Sequence, residues 1–233
     1  MTFNPCELLY LPLDVPNPPK YFFERIIDDV EDDLLHVKKV KSDLQYKHDK
    51  GYFDTYRQSE IIHLCDREGN FTDVVRKYQD NTDMEDWFHE MRKYFAPTRA
   101  AITITFDGDT VPYHIDCSPE KFSTLQHKVR YVVRSQKALS FGLANNKTIE
   151  TPFPWVDKPF VFSGKWPHTL ENDTGEHVFI FTMGAPWEAS MDDDRYISLL
   201  ERSHDKYKDF YMSTRNLLLP QKYYDYFEDK YKV

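Results

Sequence analysis

The sequence predicts an α+β chain of 233 residues with a mainly β core and helices on both flanks. Two observations carry that expectation. Between residues 98 and 186 the chain breaks into short runs (RAAITITF, KVRYVV, ALSFGLA, KPFVFSG, EHVFIFTM) rich in Val, Ile, Phe, Thr and Tyr, with turn-formers DGD, ANN and NDTG among them. No helical pattern of useful length interrupts these runs after Pro119. Short strands without intervening helices pair antiparallel, as in a sandwich or small barrel. The reading is one domain: an N-terminal helical or extended region over 1–97, the β core over 98–186, and a C-terminal helical extension over 187–233.

The elements follow in order. Pro12, Pro16, Pro18 and Pro19 force an extended lead-in. Over 20–47, Phe22, Ile26, Ile27, Val30 and Leu34 recur at helical spacing and predict one or two helices. A further helix is expected from Thr82 to Phe95. Met84, Trp87, Phe88, Met91 and Phe95 form its apolar stripe, Thr82 or Asp83 its cap, and Pro97 lies beyond its end. Both stripes read as core packing. Within the core, Asn172-Asp173-Thr174-Gly175 reads as a tight turn, so the strand starting at His177 is expected to lie antiparallel to the one before it. The tail returns to helix, with Asp192, Asp193 and Asp194 as a charge cluster favourable to a helix N-terminus. The flanks thus amount to helical wrapping around the core.

Composition excludes several classes. With 30 Lys and Arg against 39 Asp and Glu, the net charge of −9 argues against a dedicated binder of nucleic acid or anionic membrane. Aromatics make up 16% of residues, which disfavours disorder. Cys6, Cys65 and Cys117 have no CxxC spacing, so neither a disulfide framework nor a structural zinc site is expected. The N-terminus lacks the basic and apolar regions of a signal peptide, and no apolar run is long enough to span a membrane, so a cytoplasmic protein is the expectation. P-loop, GxSxG and GxGxxG signatures are absent. Cys117 has no base at a recognisable spacing and is not read as a nucleophile.

The chemistry centres on histidine. His36, His48, His63, His89 and His204 lie in helix-like or polar contexts and read as structural or solvent-facing. His114, His127, His168 and His177 lie in the β region. In Tyr113-His114-Ile115-Asp116, residues i and i+2 of an extended segment share a face, so His114 and Asp116 can converge on one ion. A second histidine from a distant strand would complete a facial triad of two histidines and one carboxylate, which suits non-haem Fe(II) with a cosubstrate and O2.

The stretch from Thr98 to Pro186 resembles the double-stranded β-helix (jelly-roll, cupin-like) core of the Fe(II)/2-oxoglutarate-dependent dioxygenases, and is most similar to their aspartyl/asparaginyl β-hydroxylase branch. VPYHID resembles the proximal metal segment. HKVRYVV resembles the next strand, where the branch has an arginine reaching the cosubstrate, here Arg130. KPFVFSGKWPHTLEN resembles the stretch leading to the distal histidine, here His168, with Asn172 at the later polar position. EHVFIFTM resembles the following strand, whose first residue in the family is normally an arginine binding the far carboxylate of 2-oxoglutarate. That position holds His177, which lacks the fork and permanent charge of arginine. The carboxylate anchor therefore falls to His177, Arg130 or Arg134. Arg130, Val132 and Arg134 share parity, so both arginines can face one side. His168 is favoured over His177 as distal ligand for its aromatic lead-in and Asn172, and Phe160, Phe162 and the Trp-Pro pair would wall the site. His127 reads as peripheral or surface.

The resemblance implies an oxygenase that hydroxylates an amino-acid side chain, free or in a peptide or protein, or a similar small molecule. Fe(II), 2-oxoglutarate and O2 would be consumed with release of succinate and CO2. A non-catalytic cupin-like barrel that binds a metal or ligand is the alternative. The same chemistry on a nucleobase is disfavoured by the net charge.

Overall fold

The computed structural model describes residues 3–29, 59–65, 69–95, 98–108, 110–114, 127–134, 140–145, 147–152, 157–164, 168–172, 174–184 and 194–213. The strand-forming runs of the core fold into β3 (Thr98–Thr105), β4 (Thr110–His114), β5 (His127–Arg134), β6 (Ser140–Asn145), β7 (Lys147–Pro152), β8 (Phe160–Ser163), β9 (His168–Glu171) and β10 (Val178–Gly184). They divide between two antiparallel sheets. With β1 (Leu8–Pro12), β2 (Ser59–His63) and β11 (Met212–Ser213) from the flanks, the larger has the order β11-β1-β8-β5-β10-β3-β2 and the smaller β4-β9-β6-β7. Chain order alternates between the sheets, with β3, β5, β8 and β10 in one and β4, β6, β7 and β9 in the other. That alternation of two four-strand sets is the double-stranded β-helix, or jelly roll.

The alternation corrects one expectation. The strand after Asn172-Asp173-Thr174-Gly175 does not pair with the strand before it. β9 pairs with β4 and β6, and β10 pairs with β3 and β5. The turn crosses from one sheet to the other. Asn172 holds it there: its Nδ2 donates to the Thr105 carbonyl at 2.9 Å and the Glu176 carbonyl at 2.8 Å, and its Oδ1 accepts from the Thr174 hydroxyl at 2.7 Å. Gly175 takes φ of +83°, a left-handed conformation that glycine adopts without a Cβ penalty.

The flanks are not only helical. β1 (Leu8–Pro12) extends the large sheet beside β8, β2 (Ser59–His63) extends it beside β3, and the two-residue β11 (Met212–Ser213) edges β1. The run LLYLP is buried throughout, without polar alternation, because the large sheet is covered on both faces at this point. Among the helices, α1 covers 20–29 within the described residues and matches the stripe of Phe22, Ile26 and Ile27. The remainder of the expected 20–47 helical region lies outside them. The helices α2 (Asp73–Tyr78), α3 (Asp83–Met91) and α4 (Asp194–Tyr207) follow. The stripe of α3 is as expected, with Thr82 at the cap, but the helix ends at Met91 rather than Phe95. Among the described residues no helix is long and apolar enough to cross a membrane.

The large sheet has two apolar faces. One packs on the helices: Phe23, Trp87 and Phe88 surround Phe181 of β10 at ring separations of 5.2, 5.7 and 6.3 Å, and Val129, Tyr131 and Val161 lie in the same cluster. The other faces the small sheet, where Val132, Phe160, Phe162 and Ile180 meet Leu170 of β9 and Tyr10 of β1. From His127 to Val132, strand alternation sorts odd-numbered β5 residues to the first face and even-numbered ones to the second. His127 falls on the helix face. It is buried, with Nδ1 3.0 Å from the Tyr196 hydroxyl of α4, so it is neither at the surface nor in the space between the sheets.

Candidate active site between the two sheets

The register of the small sheet brings the two expected ligand histidines together. His114, the last residue of β4, is the Cα partner of His168, the first residue of β9. Directly opposed residues of an antiparallel pair stand on one face. Two residues along β9 from His168 is Leu170, which packs in the cluster between the sheets. The same cross-strand row continues to Leu143 and Ile149, and the next row inward holds Val111, Leu170, Phe141 and Thr151. Two histidine positions thus oppose each other at the end of β4 and the start of β9. A one-residue shift between Val111 and His114 brings His114 opposite His168. Asp116, the expected third ligand, lies outside the described residues, as does Cys117. By residue type alone, two histidines and a carboxylate are a donor set that fits Fe(II).

The inner face of the large sheet lies across from them. One row reads Tyr10, Phe162, Lys128, Gly184, and the next reads Pro12, Phe160, Arg130, Thr182. Arg130 is 8% exposed and stacks its guanidinium over the Phe162 ring at 5.1 Å. Burying a cation is costly without compensation, and an aromatic face supplies part of it. Tyr10 packs on Phe160 at 5.3 Å, and burial pushes its phenol well above the ordinary range, so it is neutral at any physiological pH.

The other two anchor candidates are placed differently. Arg134 does not simply repeat Arg130. A register shift falls between the pairs Ile180–Val132 and Phe179–Arg134, and Phe179 belongs to the helix-side cluster. The alternation that puts Arg130 and Val132 on the inner face is broken before Arg134. His177 precedes β10, at the far end of that strand from Gly184. Its Nδ1 accepts the Asp107 backbone N–H at 3.2 Å, and its ring meets Phe106 edge-on at 5.2 Å. Asn172 is buried in the same turn region, bonded to backbone. The cation that sequence reading passed over is Lys128. Its even parity with Arg130 was the available signal.

The jelly roll thus opposes His114 to His168 on the small sheet and carries the buried Arg130 on the large one. No family model matches the chain, and no curated protein does either. Solved structures similar to it include an oxidoreductase of the 2OG-Fe(II) oxygenase family from Burkholderia pseudomallei (12% identity, TM-score 0.35, 54% of this chain and 64% of that one). Another is a prolyl hydroxylase from Trichoplax adhaerens in complex with a hypoxia inducible factor peptide fragment (14% identity, TM-score 0.36, 60% and 66%). A third is a Pseudomonas putida prolyl-4-hydroxylase (11% identity, TM-score 0.39, 76% and 91%). The chain thus spans just under two thirds of the length of the first two. None of the three is described as an aspartyl/asparaginyl β-hydroxylase.

Proposed function

We propose that the protein is an Fe(II)- and 2-oxoglutarate-dependent oxygenase, with an amino-acid side chain or a similar small organic group as its substrate. The observation that carries this reading is the pairing of His114 with His168 at one end of the jelly roll. His114, Asp116 and His168 would hold the metal. Iron with 2-oxoglutarate and O2 supplies the oxidising power for hydroxylation of a C–H bond, with succinate and CO2 as co-products. The chain's own residues do the rest. Arg130 holds the far carboxylate of 2-oxoglutarate, with a permanent charge and a geometry suited to a bidentate pair. Thr182, directly opposite Arg130 on β10, offers a hydroxyl in the same row. Phe160, Phe162, Val132, Ile180 and Leu170 exclude water, which strengthens that ion pair. The aspartyl/asparaginyl branch remains our reading of the motifs.

The test is 2-oxoglutarate turnover with Fe(II), measured as succinate and CO2 formed with and without candidate substrates. The wild type is expected to convert 2-oxoglutarate. Arg130→Met is expected to raise KM for 2-oxoglutarate by about 10- to 100-fold, from loss of a charge-assisted bond, with Arg130→Lys intermediate. A wild type that binds metal yet never consumes 2-oxoglutarate would mark a non-catalytic barrel instead.

A further inference from the structure

We propose that Pro112 is a positioning residue for the metal: by forcing an extra residue into β4, it brings His114 rather than Tyr113 opposite His168. This role rests on the oxygenase reading above and names what aims one of its ligands.

β4 stands at the edge of the small sheet, paired with β9. At its start Thr110 faces Glu171 and Val111 faces Leu170, and at its end His114 faces His168. Pro112 and Tyr113 therefore stand across from a single residue, Thr169. Two residues opposed to one define a β-bulge, which re-aims a side chain where it occurs beside an active site. Continued without the bulge, the register of Thr110 and Val111 sets Pro112 against Thr169 and Tyr113 against His168. A slip of one residue sends later side chains to the opposite face of a sheet. The bulge thus decides whether histidine or tyrosine takes the position opposed to His168.

The start of the strand is tied down and does not take up the difference. The Asp107 N–H donates to Nδ1 of His177 at 3.2 Å, and the Gly108 N–H donates to the Asn172 carbonyl at 2.7 Å. In return the Asp107 carboxylate accepts the Gly175 N–H at 2.9 Å. These bonds join the segment entering β4 to the segment leaving β9. Asn172 is bonded in turn to the Thr105 carbonyl of β3. With that end fixed, the register at the histidine end depends on the residues between.

Among those residues, Pro112 is the one without a backbone N–H, so it cannot serve as a ladder donor. Within sheets, proline is confined to edge strands, strand starts and bulges, and Pro112 meets the first and last of these conditions. Valine or threonine at this position restores the N–H and adds strand propensity, and both favour the regular ladder.

The experiment compares Pro112→Val and Pro112→Thr with the wild type, each as the full chain, in two measurements. Backbone NOEs between β4 and β9, recorded without metal, read the register. Mn(II) titration reads the site. The wild type is expected to show contacts of His114 with His168. Both variants are expected to show contacts of Tyr113 with His168 instead, and to bind Mn(II) about tenfold or more weakly. Phe181→Ala, on the helix-covered face of the large sheet, controls for lost stability and is expected to keep both the register and the affinity. A wild type that already pairs Tyr113 with His168 would overturn the proposal. So would variants that keep the wild-type register, variants that change register yet bind Mn(II) as the wild type does, or an equal loss of affinity in Phe181→Ala. A wild type that shows the expected register but binds no Mn(II) overturns the oxygenase reading instead.

Discussion

At the scale of single residues, the interior depends on polar groups held in an apolar setting. Arg130 keeps its charge there by stacking on Phe162, and Tyr10 stays neutral by burial. Asn172 does comparable work at the other end of the jelly roll, where its amide satisfies two carbonyls and a threonine hydroxyl. Replacing it by Ala leaves buried groups unpaired, so Asn172→Ala is expected to destabilise the fold by about 2–4 kcal/mol, measured by urea unfolding. The opposition of His114 to His168 was expected only from the resemblance of VPYHID and KPFVFSGKWPHTLEN to the family's two metal segments, since spacing alone does not pair distant strands. Lys128 and Arg130 share the period of two of a strand, yet only arginine drew attention, because a lysine near a strand's start reads as a solvated edge. The shift that separates Arg134 from Arg130 has no signature in HKVRYVV, since an extra residue in a strand depends on its partner.

At the scale of elements, β5 joins the two halves of the design. Its odd residues build the helix-side core, and its even residues, Lys128, Arg130 and Val132, line the space between the sheets. The terminal elements are fastened to each other by an ionic clamp. Asp14, just past β1, accepts from Lys206 and Arg202 of α4, and its backbone N–H donates to the Ser203 hydroxyl at 2.9 Å. The hydrogen bond from Lys206 holds the Asp14 carboxyl below its ordinary value, against the opposing effect of burial, with Arg202 assisting. A carboxyl depressed in the native state stabilises it fully above the ordinary carboxylate range and loses that effect as pH falls through the native value. Asp14→Asn is therefore expected to lower the urea midpoint at neutral pH, with the gap to wild type closing as the pH falls below about 4. β2 and β11 were not legible. SEIIH is a short run with only two apolar residues, and Met212–Ser213 is too short to show a period. Propensity gave β6 from its apolar run, whereas the polar KTIETP becomes β7 through its pairing with β6.

At the scale of the whole molecule, the jelly roll works by topology: alternating the chain between sheets brings residues 54 apart, His114 and His168, into register. The described helices pack on the outer face of the large sheet. Phe181, ringed by Phe23, Trp87 and Phe88, anchors that layer, so Phe181→Ala is expected to cost about 3–5 kcal/mol in thermal or urea unfolding. The strand-rich stretch after residue 98 was legible because strand composition and turn residues change there together, whereas β1, β2 and β11 join the large sheet from outside it. The assignment of strands to sheets was not, since hairpin and crossover turns share the same residues. The account rests on His114 and His168 sharing one metal, and anaerobic Fe(II) titration of wild type, His114→Ala and His168→Ala measures that directly. One equivalent bound by the wild type, with affinity reduced about 100-fold or more in each variant and 2-oxoglutarate binding lost with it, is the predicted result. Either variant holding Fe(II) and 2-oxoglutarate as tightly as the wild type would contradict it.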